Sequence, residues 1–451
     1  MEYWSDGVGR NLPNTPKKKS AEFENFRQQV DWTWRNARML YNRDRLLALM
    51  DKHDLAGVVA ATPENIYYLS GHSSWSQNGY RYGGSQVYVV FPRDPAQTPA
   101  LLIPGGDVGY AALDEVWLKE VYTYGRSRKH EIPDPNKLGK EEKRILDLSK
   151  GEPKGSTAEK ALAQLIKDKG LGRGRIGMDH FAIPLTIYEK IGANLPEATL
   201  LPASMFFRYV RMIKTPAEIQ RLSESAALNE RAINAMLRAA KPGVKESELA
   251  GVYKGEVARA GGQIYWMHMN ISRGGNSPVI KDRVLQKGDI FRVDMGCSIN
   301  GYHADVCKSG CVGGEPTDEH HKRYDAVQIG VLKSVEKLKP RALPAELFET
   351  MIQGVRAAGI PNYSNFFLGH TIGLEAREFP FILGPAEEVD DPFLPNTTNV
   401  PMEPGMVVNL EASSQVMGWG SVQVEYTLAV TEDGHEHLIK PDQKLFTLPL
   451  Q

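Results

Sequence analysis

The sequence is poor in cysteine, in excess charge of either sign and in long apolar runs. Its 451 residues hold three cysteines, too few for a disulfide-stabilised scaffold, so a reducing compartment is expected. The formal net charge of −1 gives no electrostatic basis for binding nucleic acid or an anionic membrane. No run is long enough to span a bilayer, and the polar first twenty residues lack the apolar segment of a secretory signal. We therefore expect a cytoplasmic protein without a nucleic-acid or membrane partner.

Length and pattern predict two domains. A hydrophobic fraction of 41% and a charged fraction of 24% are ordinary for a globular protein, and 451 residues exceed the usual size of one hydrophobic core. Residues 1–35 are polar, with a Lys17–Lys19 run, and are expected to form an arm on their own domain or on a partner subunit. Strands and helices alternate up to about residue 200, which predicts an α/β domain over 1–210.

The second domain, over 211–451, is predicted to be α+β. Thr215 is a favourable N-cap, Pro216 suits the first helical position, and Glu218 adds charge to the first turn. The apolar spacing predicts four helices in this domain, over 216–240, 245–260, 318–338 and 344–358. A Pro- and acid-rich loop follows over 384–401, and it is equally explained by a functional role or by a surface insertion.

Two aspartates lie in a predicted β-hairpin. Asn300-Gly301 tolerates the positive φ angles of a two-residue turn, so Ile299 would face Tyr302 and Asp305 would lie opposite Gly296. Asp294 would then be a diagonal neighbour of Asp305 on the same face. Two aspartates so placed could share cations, although a hairpin with solvated acids explains the pattern as well.

Two glutamates lie in a second predicted hairpin. A three-residue loop over 417–419 would place Glu411 directly opposite Glu425. Facing like charges destabilise a sheet, and a bound cation would reverse that effect. With His370 between the two pairs, the order D-x10-D, H, E-x13-E matches a two-metal site that suits Mn, Fe, Co or Zn. Cys297 and Cys307 are near this site, but packing is the favoured role for them.

The flanking motifs resemble those of a known family. MIKTPAEIQRLSESA, the GYHAD hairpin, GHTIGLEAREFP, EPGMVVNLEAS and VEYTLAVTEDG follow the order of the creatinase/prolidase/methionine-aminopeptidase superfamily (M24). The resemblance is strong over about 211–440, and a weaker likeness to the two-domain prolidase and creatinase branch covers the rest. The resemblance implies a pita-bread catalytic domain, a creatinase/prolidase-like N-terminal domain and a homodimer. It also implies two divalent ions held by five ligands, Asp294, Asp305, His370, Glu411 and Glu425. Asp305 and Glu425 would be the carboxylates that bridge the two ions.

The chain departs from the peptide-cutting relatives at two positions. Those relatives carry two further histidines, and here the corresponding positions are Ser277 and Arg377. An arginine cannot act as a base but can clamp a carboxylate with two hydrogen bonds. Glu378 is a candidate acid/base or supporting group, or else an exposed loop carboxylate. His268 could reach the site, or could be a structural histidine on an aromatic strand.

A further candidate segment covers residues 70–85. In two-domain relatives the corresponding region reaches an active site, sometimes across a dimer. Aromatic side chains and an arginine there would suit a small substrate with a cationic or carboxylate group, or the segment is an ordinary ordered loop. The candidate substrate-binding residues are Trp75, Tyr80, Arg81 and Tyr82.

Three functions stay open at this point. The first is a dinuclear metal-dependent hydrolase resembling Xaa-Pro dipeptidase or aminopeptidase P, acting on a small amide or dipeptide. The second keeps the metal site but changes the reaction, to C–N hydrolysis as in creatinase or to a lyase such as that for dimethylsulfoniopropionate. The replaced histidines motivate this second reading. The third is a non-catalytic binding module, against which the complete ligand set argues.

Overall fold

The structure is a computed structural model, and it describes residues 40–80, 85–272, 282–440 and 442–450. The predicted arm over 1–35 lies outside the described residues. The same holds for Arg81, Tyr82 and Ser277.

A six-stranded mixed sheet forms the first half of the described chain. Its strands in chain order are β1 (Gly57–Ala60), β2 (Tyr88–Pro92), β3 (Ala100–Pro104), β4 (Glu120–Tyr124), β5 (Arg175–Met178) and β6 (Thr199–Pro202). The order across the sheet is β4-β3-β2-β1-β5-β6, with β1 antiparallel to β2 and parallel to β5. The α-helices of this half are Arg43–Lys52, Pro63–Ser70, Trp75–Tyr80, Val108–Leu113, Lys140–Ser149, Ala158–Asp168, Leu185–Ala193 and Ser204–Arg211. Three short 3-10 helices are Gly105–Asp107, Pro135–Lys137 and His180–Ala182.

Two further sheets form the second half. One has the order β15-β9-β8-β7 and the other β11-β10-β12-β13-β14. Their strands are β7 (Gln263–Ile271), β8 (Ile290–Ile299), β9 (Tyr302–Val312), β10 (Phe367–Thr371), β11 (Glu378–Leu383), β12 (Val407–Val416), β13 (Gly420–Val430), β14 (His435–His437) and β15 (Leu445–Leu448). The helices are Pro216–Ala239, Glu246–Arg259, Asp318–Lys337 and Pro344–Ala357, each within one residue of its prediction at either end.

The capping chemistry at Thr215 is as predicted. The Thr215 hydroxyl accepts a hydrogen bond from the Glu218 amide, and the Glu218 carboxylate accepts one from the Thr215 amide. Pro216 occupies the first helical turn, where a missing N–H has no cost. This capping box begins the long helix that leads from the first half into the second.

Both predicted hairpins form in the predicted register. Asn300 and Gly301 have φ angles of 52° and 80°, Ile299 pairs with Tyr302, and Gly296 pairs with Asp305. In the other hairpin Val416 pairs with Gly420, which leaves the three-residue loop that was predicted. Four of the five predicted metal ligands therefore lie on the two hairpins.

The hydrophobic core continues between the two halves. One cluster joins helix residues of the first half, such as Phe206 and Phe207, to Ile372 and Val407 of the second. The 384–401 loop has no helix or strand, and it contributes to the same cluster through Phe393, whose ring packs edge-on against His53 and Phe206. Phe393 therefore attaches part of this loop to the core.

The predicted fold class is confirmed. The first half combines a mixed sheet with surrounding helices, and the second combines largely antiparallel sheets with helices, as α/β and α+β domains do. Within the described residues no helix combines the length and the apolar character that crossing a membrane requires.

Candidate metal centre

Three predicted ligands converge in the interior. Asp305 on β9, His370 on β10 and Glu425 on β13 each offer one ligand atom, and these three atoms lie within 4.8 Å of one another. All three side chains are buried. His370 is 65 positions after Asp305 in the sequence, and Glu425 is 55 positions after His370. The three residues meet because β9 packs beside β13, while β12 pairs with both β10 and β13.

The hydrogen bonding of His370 leaves one ring nitrogen available. Its Nδ1 lies 2.9 Å from the Thr371 carbonyl oxygen, which can only accept, so this nitrogen carries the proton. Nε2 then has a free lone pair, and it lies 3.3 Å from Asp305 Oδ2 and 4.0 Å from Glu411 Oε1. Burial lowers the pKa of His370 to about 4, so the ring is neutral near pH 7. A neutral imidazole in a fixed tautomer is the form that binds metal.

Two buried carboxylate oxygens at this centre have no hydrogen-bond partner among the described residues. They are Asp305 Oδ1 and Glu425 Oε2. The other oxygen of Glu425, Oε1, accepts a hydrogen bond from the Asn409 amide at 2.7 Å. Unsatisfied buried carboxylate oxygens are costly unless a cation occupies the space between them.

The electrostatics of the cluster point the same way. Burial and the neighbouring Glu425 raise the pKa of Asp305 well above its usual value. Burial and Glu411 do the same for Glu425, and burial with Asp294 raises the pKa of Glu411 to about 7. Asp305, Glu411 and Glu425 lie close together without enough positive charge, and each therefore disfavours the ionisation of the others. This donor set therefore fits divalent cations, which would restore the ionised state of these groups.

Asp294 has a different environment from the other carboxylates. Its Oδ1 accepts a hydrogen bond from the Trp266 indole at 2.9 Å, and its Oδ2 accepts from Arg292 at 3.1 Å and from Gln423 at 3.2 Å. Burial would raise its pKa, but Arg292, His268 and these hydrogen bonds outweigh burial and lower it. Asp294 is therefore ionised and oriented beside the compact three-ligand group.

None of these three supporting residues, Trp266, Arg292 and Gln423, was predicted from the sequence. Gln423 is two residues before Glu425, so it shares its face of β13, and its amide donates to both Asp294 and Glu411, the latter at 2.7 Å. Trp266 pairs with Gly296 across the β7–β8 ladder, and its ring lies where a side chain at Gly296 would be, within 2.3 Å of the missing Cβ. Arg292 lies two residues before Asp294, and Gln423 lies two residues before Glu425. Residues two apart on a strand share a face, so this spacing was the sequence signal that could have indicated both.

A cavity of about 700 Å³ opens beside Asp294 and Glu411. Its wall comes from β7, β8, β12, β13, the Asp318–Lys337 helix and the 360–367 segment. His268, predicted as a candidate, lines this cavity and pairs with Asp294 across the ladder. Arg377, also predicted, lines it as an exposed side chain whose guanidinium lies over the Phe367 ring at 4.8 Å.

Glu378 does not face the cavity. Its two carboxylate oxygens accept from Arg211 at 3.1 Å and from Lys214 at 2.8 Å, and all three side chains are buried. Burial would raise the pKa of Glu378, but Lys214 and Arg211 lower it to about 2. A carboxylate so paired holds no proton near neutral pH, and Glu378 does not line the cavity, so the structure corrects its reading as an acid/base. Its reading as an exposed loop carboxylate is wrong because the side chain is buried, and its reading as a supporting group stays a prediction. Glu378 belongs instead to a buried ion network.

The described residues of the 70–85 segment, 70–80 and 85, do not line the cavity within this chain. Trp75 and Tyr80 belong to a short helix that was not predicted, and their side chains are exposed. Trp75 stacks on Tyr110 at 5.7 Å and meets Tyr80 edge-on. Neither Trp75 nor Tyr80 lines the cavity, so contact with a site would require a second subunit.

Two family profiles match the chain. Residues 220–432 match metallopeptidase family M24, and residues 42–213 match the creatinase/prolidase N-terminal domain. An uncharacterized peptidase of Bacillus subtilis, YqhT, is 25% identical over 284 residues, 62% of this chain and 77% of that protein. The Xaa-Pro dipeptidase of Pyrococcus furiosus is 26% identical over 240 residues, 52% of this chain and 65% of that protein, just under two thirds.

Solved structures share the fold over most of the chain. The prolidase of Pyrococcus horikoshii OT3 superposes with a TM-score of 0.67 at 19% identity, covering 89% of this chain and 99% of that one. The X-Pro aminopeptidase of Thermotoga maritima MSB8 gives 0.69 at 17% identity, covering 89% and 100%. These likenesses establish the shared two-domain, pita-bread architecture.

Proposed function

Because the chain belongs to metallopeptidase family M24, in its two-domain prolidase-like branch, we propose that it is a metal-dependent hydrolase of a small amide or dipeptide-like substrate. The observation that carries the proposal is the buried group of Asp305, His370 and Glu425, with unsatisfied carboxylate oxygens, beside an open polar cavity. The Xaa-Pro dipeptidases among its relatives suggest the substrate type.

We propose that the five predicted ligands hold two divalent ions. Asp305, His370 and Glu425 form the compact group, and Asp294 and Glu411 border it, held together by the shared Gln423 amide. Ions of Mn, Fe, Co or Zn would, when bound, polarise a substrate carbonyl and lower the pKa of a water molecule. Elemental analysis of the loaded protein is expected to give about two ions per chain. One ion per chain would restrict binding to the compact group.

His268 is the proposed proton acceptor. It lines the cavity opposite Asp294, and burial lowers its pKa, so its ring is neutral near pH 7. A neutral imidazole can accept a proton from an attacking water and return it to a leaving amine. Arg377 on the same wall cannot do this, because a guanidinium stays charged at accessible pH, and it is suited to hold an acceptor group of the substrate.

The test combines metal removal with a substrate panel. Protein stripped by a chelator and reloaded with Mn, Fe(II), Co or Zn is assayed on Xaa-Pro dipeptides and related small amides. Hydrolysis is expected only after reloading, and Asp305→Asn and His370→Ala are expected to abolish metal binding. Asp433→Asn, a change at an exposed loop residue, is the matched control. Undiminished activity in rigorously stripped protein would refute the proposal.

A second candidate keeps the metal centre and changes the reaction. Arg377 stands where peptide-cutting relatives are expected to carry a histidine, which favours a non-peptidase C–N hydrolase or a lyase. This candidate predicts negligible turnover of every Xaa-Pro dipeptide by fully loaded protein. Robust dipeptide cleavage would exclude it.

We also propose a homodimer, as the family resemblance implies. The exposed aromatic group of Trp75, Tyr80 and Tyr110 supports it, because such side chains are enriched in protein interfaces. Light scattering coupled to size-exclusion chromatography is expected to give twice the chain mass of 50.2 kDa. Replacing Trp75 by Ser is expected to shift the equilibrium toward the monomer.

A further inference from the structure

The cavity beside the metal centre is lined by an excess of cationic side chains. Arg292, Arg323 and Arg377 contribute three guanidinium groups, and Asp294 and Glu411 are the two carboxylates among the described lining residues. The wall therefore carries a formal charge of 3 − 2 = +1 before any metal ion is counted. Both carboxylates are predicted metal ligands, and Asp294 also pairs with Arg292. Among the described residues, Arg323 and Arg377 are the lining arginines that form no ion pair with a carboxylate of this wall.

Arg377 is the most available of the three. Its side chain is exposed to the cavity, and in the described part of the chain no carboxylate forms an ion pair with it. Its guanidinium lies over Phe367, and the Phe367 ring in turn stacks on His370, with centroids 5.8 Å apart and planes inclined by 27°. The Phe367 ring therefore lies between the Arg377 guanidinium and the predicted metal histidine, His370.

Arg323 belongs to a different part of the wall. It lies on the Asp318–Lys337 helix, donates to the Ser414 hydroxyl at 3.3 Å, and lies 5.2 Å from the centre of the Trp419 ring. Its carboxylate neighbour is Glu319, one helical turn earlier and itself 44% exposed. A pair of this kind is weak in water and is readily exchanged for a ligand carboxylate.

The remaining lining residues are mainly polar. The uncharged polar side chains are those of Asn362, Tyr363, Ser364, Asn365, Ser413, Ser414, Gln415 and Gln423, and the apolar ones are those of Ile360, Phe366, Phe367, Ala412 and Val416. Such a wall offers hydrogen bonds rather than a deep pocket for a large apolar side chain. A guanidinium group matches the planar carboxylate of an amide or peptide substrate, because its fork of N–H donors forms two parallel hydrogen bonds with the two oxygens.

We propose that the substrate is a small amide carrying two carboxylate groups, one bound by Arg377 and the other by Arg323. The proposal rests on the proposed hydrolase function and narrows its substrate class from neutral Xaa-Pro dipeptides to acidic compounds, such as dipeptides with an acidic side chain. Arg292 lines the same cavity but is bound to Asp294, so it is not assigned a carboxylate of the substrate.

Direct binding to metal-loaded protein tests the charge requirement. Glutarate, glutaramate and glutaramide have nearly the same shape and carry two, one and no carboxylates. Isothermal titration calorimetry is expected to show affinity falling at least about tenfold with each carboxylate lost, because charge-assisted hydrogen bonds are the strong ones. Equal affinity for glutarate and glutaramate would overturn the assignment of two carboxylate contacts.

Variants separate the arginines from the metal ions as the carboxylate-binding groups. Arg377→Met and Arg323→Met are each expected to weaken glutarate binding about tenfold and to leave the metal content unchanged, and Arg377→Lys is expected to fall between the wild type and Arg377→Met. Arg173→Met, at a side chain 82% exposed in the first half of the chain, is the control and is expected to bind glutarate as the wild type does. Unchanged glutarate affinity in Arg377→Met would show that the ions alone bind the carboxylates, and the proposal would fail.

Substrate assays test this proposal separately from the hydrolase function on which it rests. Acidic dipeptides are expected to be cleaved with a kcat/KM at least about tenfold above that of neutral dipeptides of equal length. Cleavage of neutral dipeptides at an equal or higher rate would overturn the inference and leave the hydrolase function intact. If glutarate, glutaramate and glutaramide bind with the expected affinities but no amide is cleaved, the dicarboxylate-binding site is supported and the hydrolase function is refuted.

Discussion

Glu411 and Glu425 lie directly opposite each other across the β12–β13 ladder. Glu425 is buried and Glu411 is 13% exposed, so water screens their repulsion poorly. A facing pair of like charges destabilises an antiparallel sheet, and a shared cation converts the same pair into a stabilising contact. The sign of this interaction is therefore set by metal occupancy.

Replacing Glu411 by Gln should have opposite effects on stability in the two metal states. In chelator-treated protein the change removes a repulsive charge, and Tm is expected to rise by roughly 2 °C for about 1 kcal/mol. In metal-loaded protein the same change removes a ligand, and Tm is expected to fall because less binding energy stabilises the folded state. Differential scanning calorimetry with and without metal measures both shifts.

The control for this experiment is Glu432→Gln, an exposed carboxylate outside the ladder. It should change Tm little in either state. A shift of the same sign for Glu411→Gln with and without metal would contradict the metal role of this pair.

The hairpins show what the sequence could specify. Asn300-Gly301 determines the turn, the turn determines the register, and the register determines which acids face each other, so Asp305 opposite Gly296 followed from local chemistry. Helix bounds followed in the same way from caps and apolar spacing. Interactions of short range in sequence were thus predictable.

Glu378 shows what the sequence could not specify. It follows Arg377 directly and is the first residue of β11, yet Arg377 lines the cavity and Glu378 lies in the protein interior. Which of the two faces the site depends on Arg211 and Lys214, 164 or more positions earlier in the chain. Trp266 escaped prediction for a similar reason, since its contact with Asp294 depends on how β7 pairs with β8.

Trp266 is expected to tune metal affinity through Asp294. Trp266→Phe keeps an aromatic ring over Gly296 but removes the indole N–H that binds Asp294 Oδ1. Groups that orient a metal ligand typically contribute 10–100-fold to metal affinity, and we expect a loss of roughly that size. Competition with a chromophoric chelator measures it.

Trp117→Phe serves as the matched control for this change. The Trp117 indole donates to the Leu69 carbonyl oxygen in the first half of the chain. Its loss should lower stability without altering metal affinity. Equal metal affinity in Trp266→Phe and the wild type would show that the indole hydrogen bond does not orient Asp294.

Arg211 is expected to be a major contributor to stability. Its buried guanidinium bonds Asn65 of the first half and both Glu375 and Glu378 of the second. Arg211→Met leaves Lys214 as the remaining ion-pair partner of the buried Glu378 among the described residues, and the loss of one partner from a buried ion pair typically costs about 3–5 kcal/mol. Arg208→Met, at a side chain 31% exposed that also pairs with Glu375, should cost less than about 1 kcal/mol in urea unfolding. Equal losses in the two variants would contradict this account of the network.

Glu378 should make stability fall in acid. Its pKa is about 2 in the folded protein against an ordinary value of 4.5, because Lys214 and Arg211 outweigh the effect of burial. The folded state therefore binds fewer protons than the unfolded state between these values, so the stabilisation is complete above pH 4.5 and is lost as pH falls toward 2. The shift corresponds to about 3 kcal/mol.

Urea unfolding of wild type and Glu378→Gln at pH 7, 5, 4 and 3 tests this expectation. The difference in free energy of unfolding between the two should narrow below pH 4.5, whereas the difference between wild type and Glu432→Gln should stay near zero. A gap for Glu378→Gln that is constant from pH 7 to pH 3 would mean that the ion pairs with Arg211 and Lys214 do not hold this carboxylate ionised.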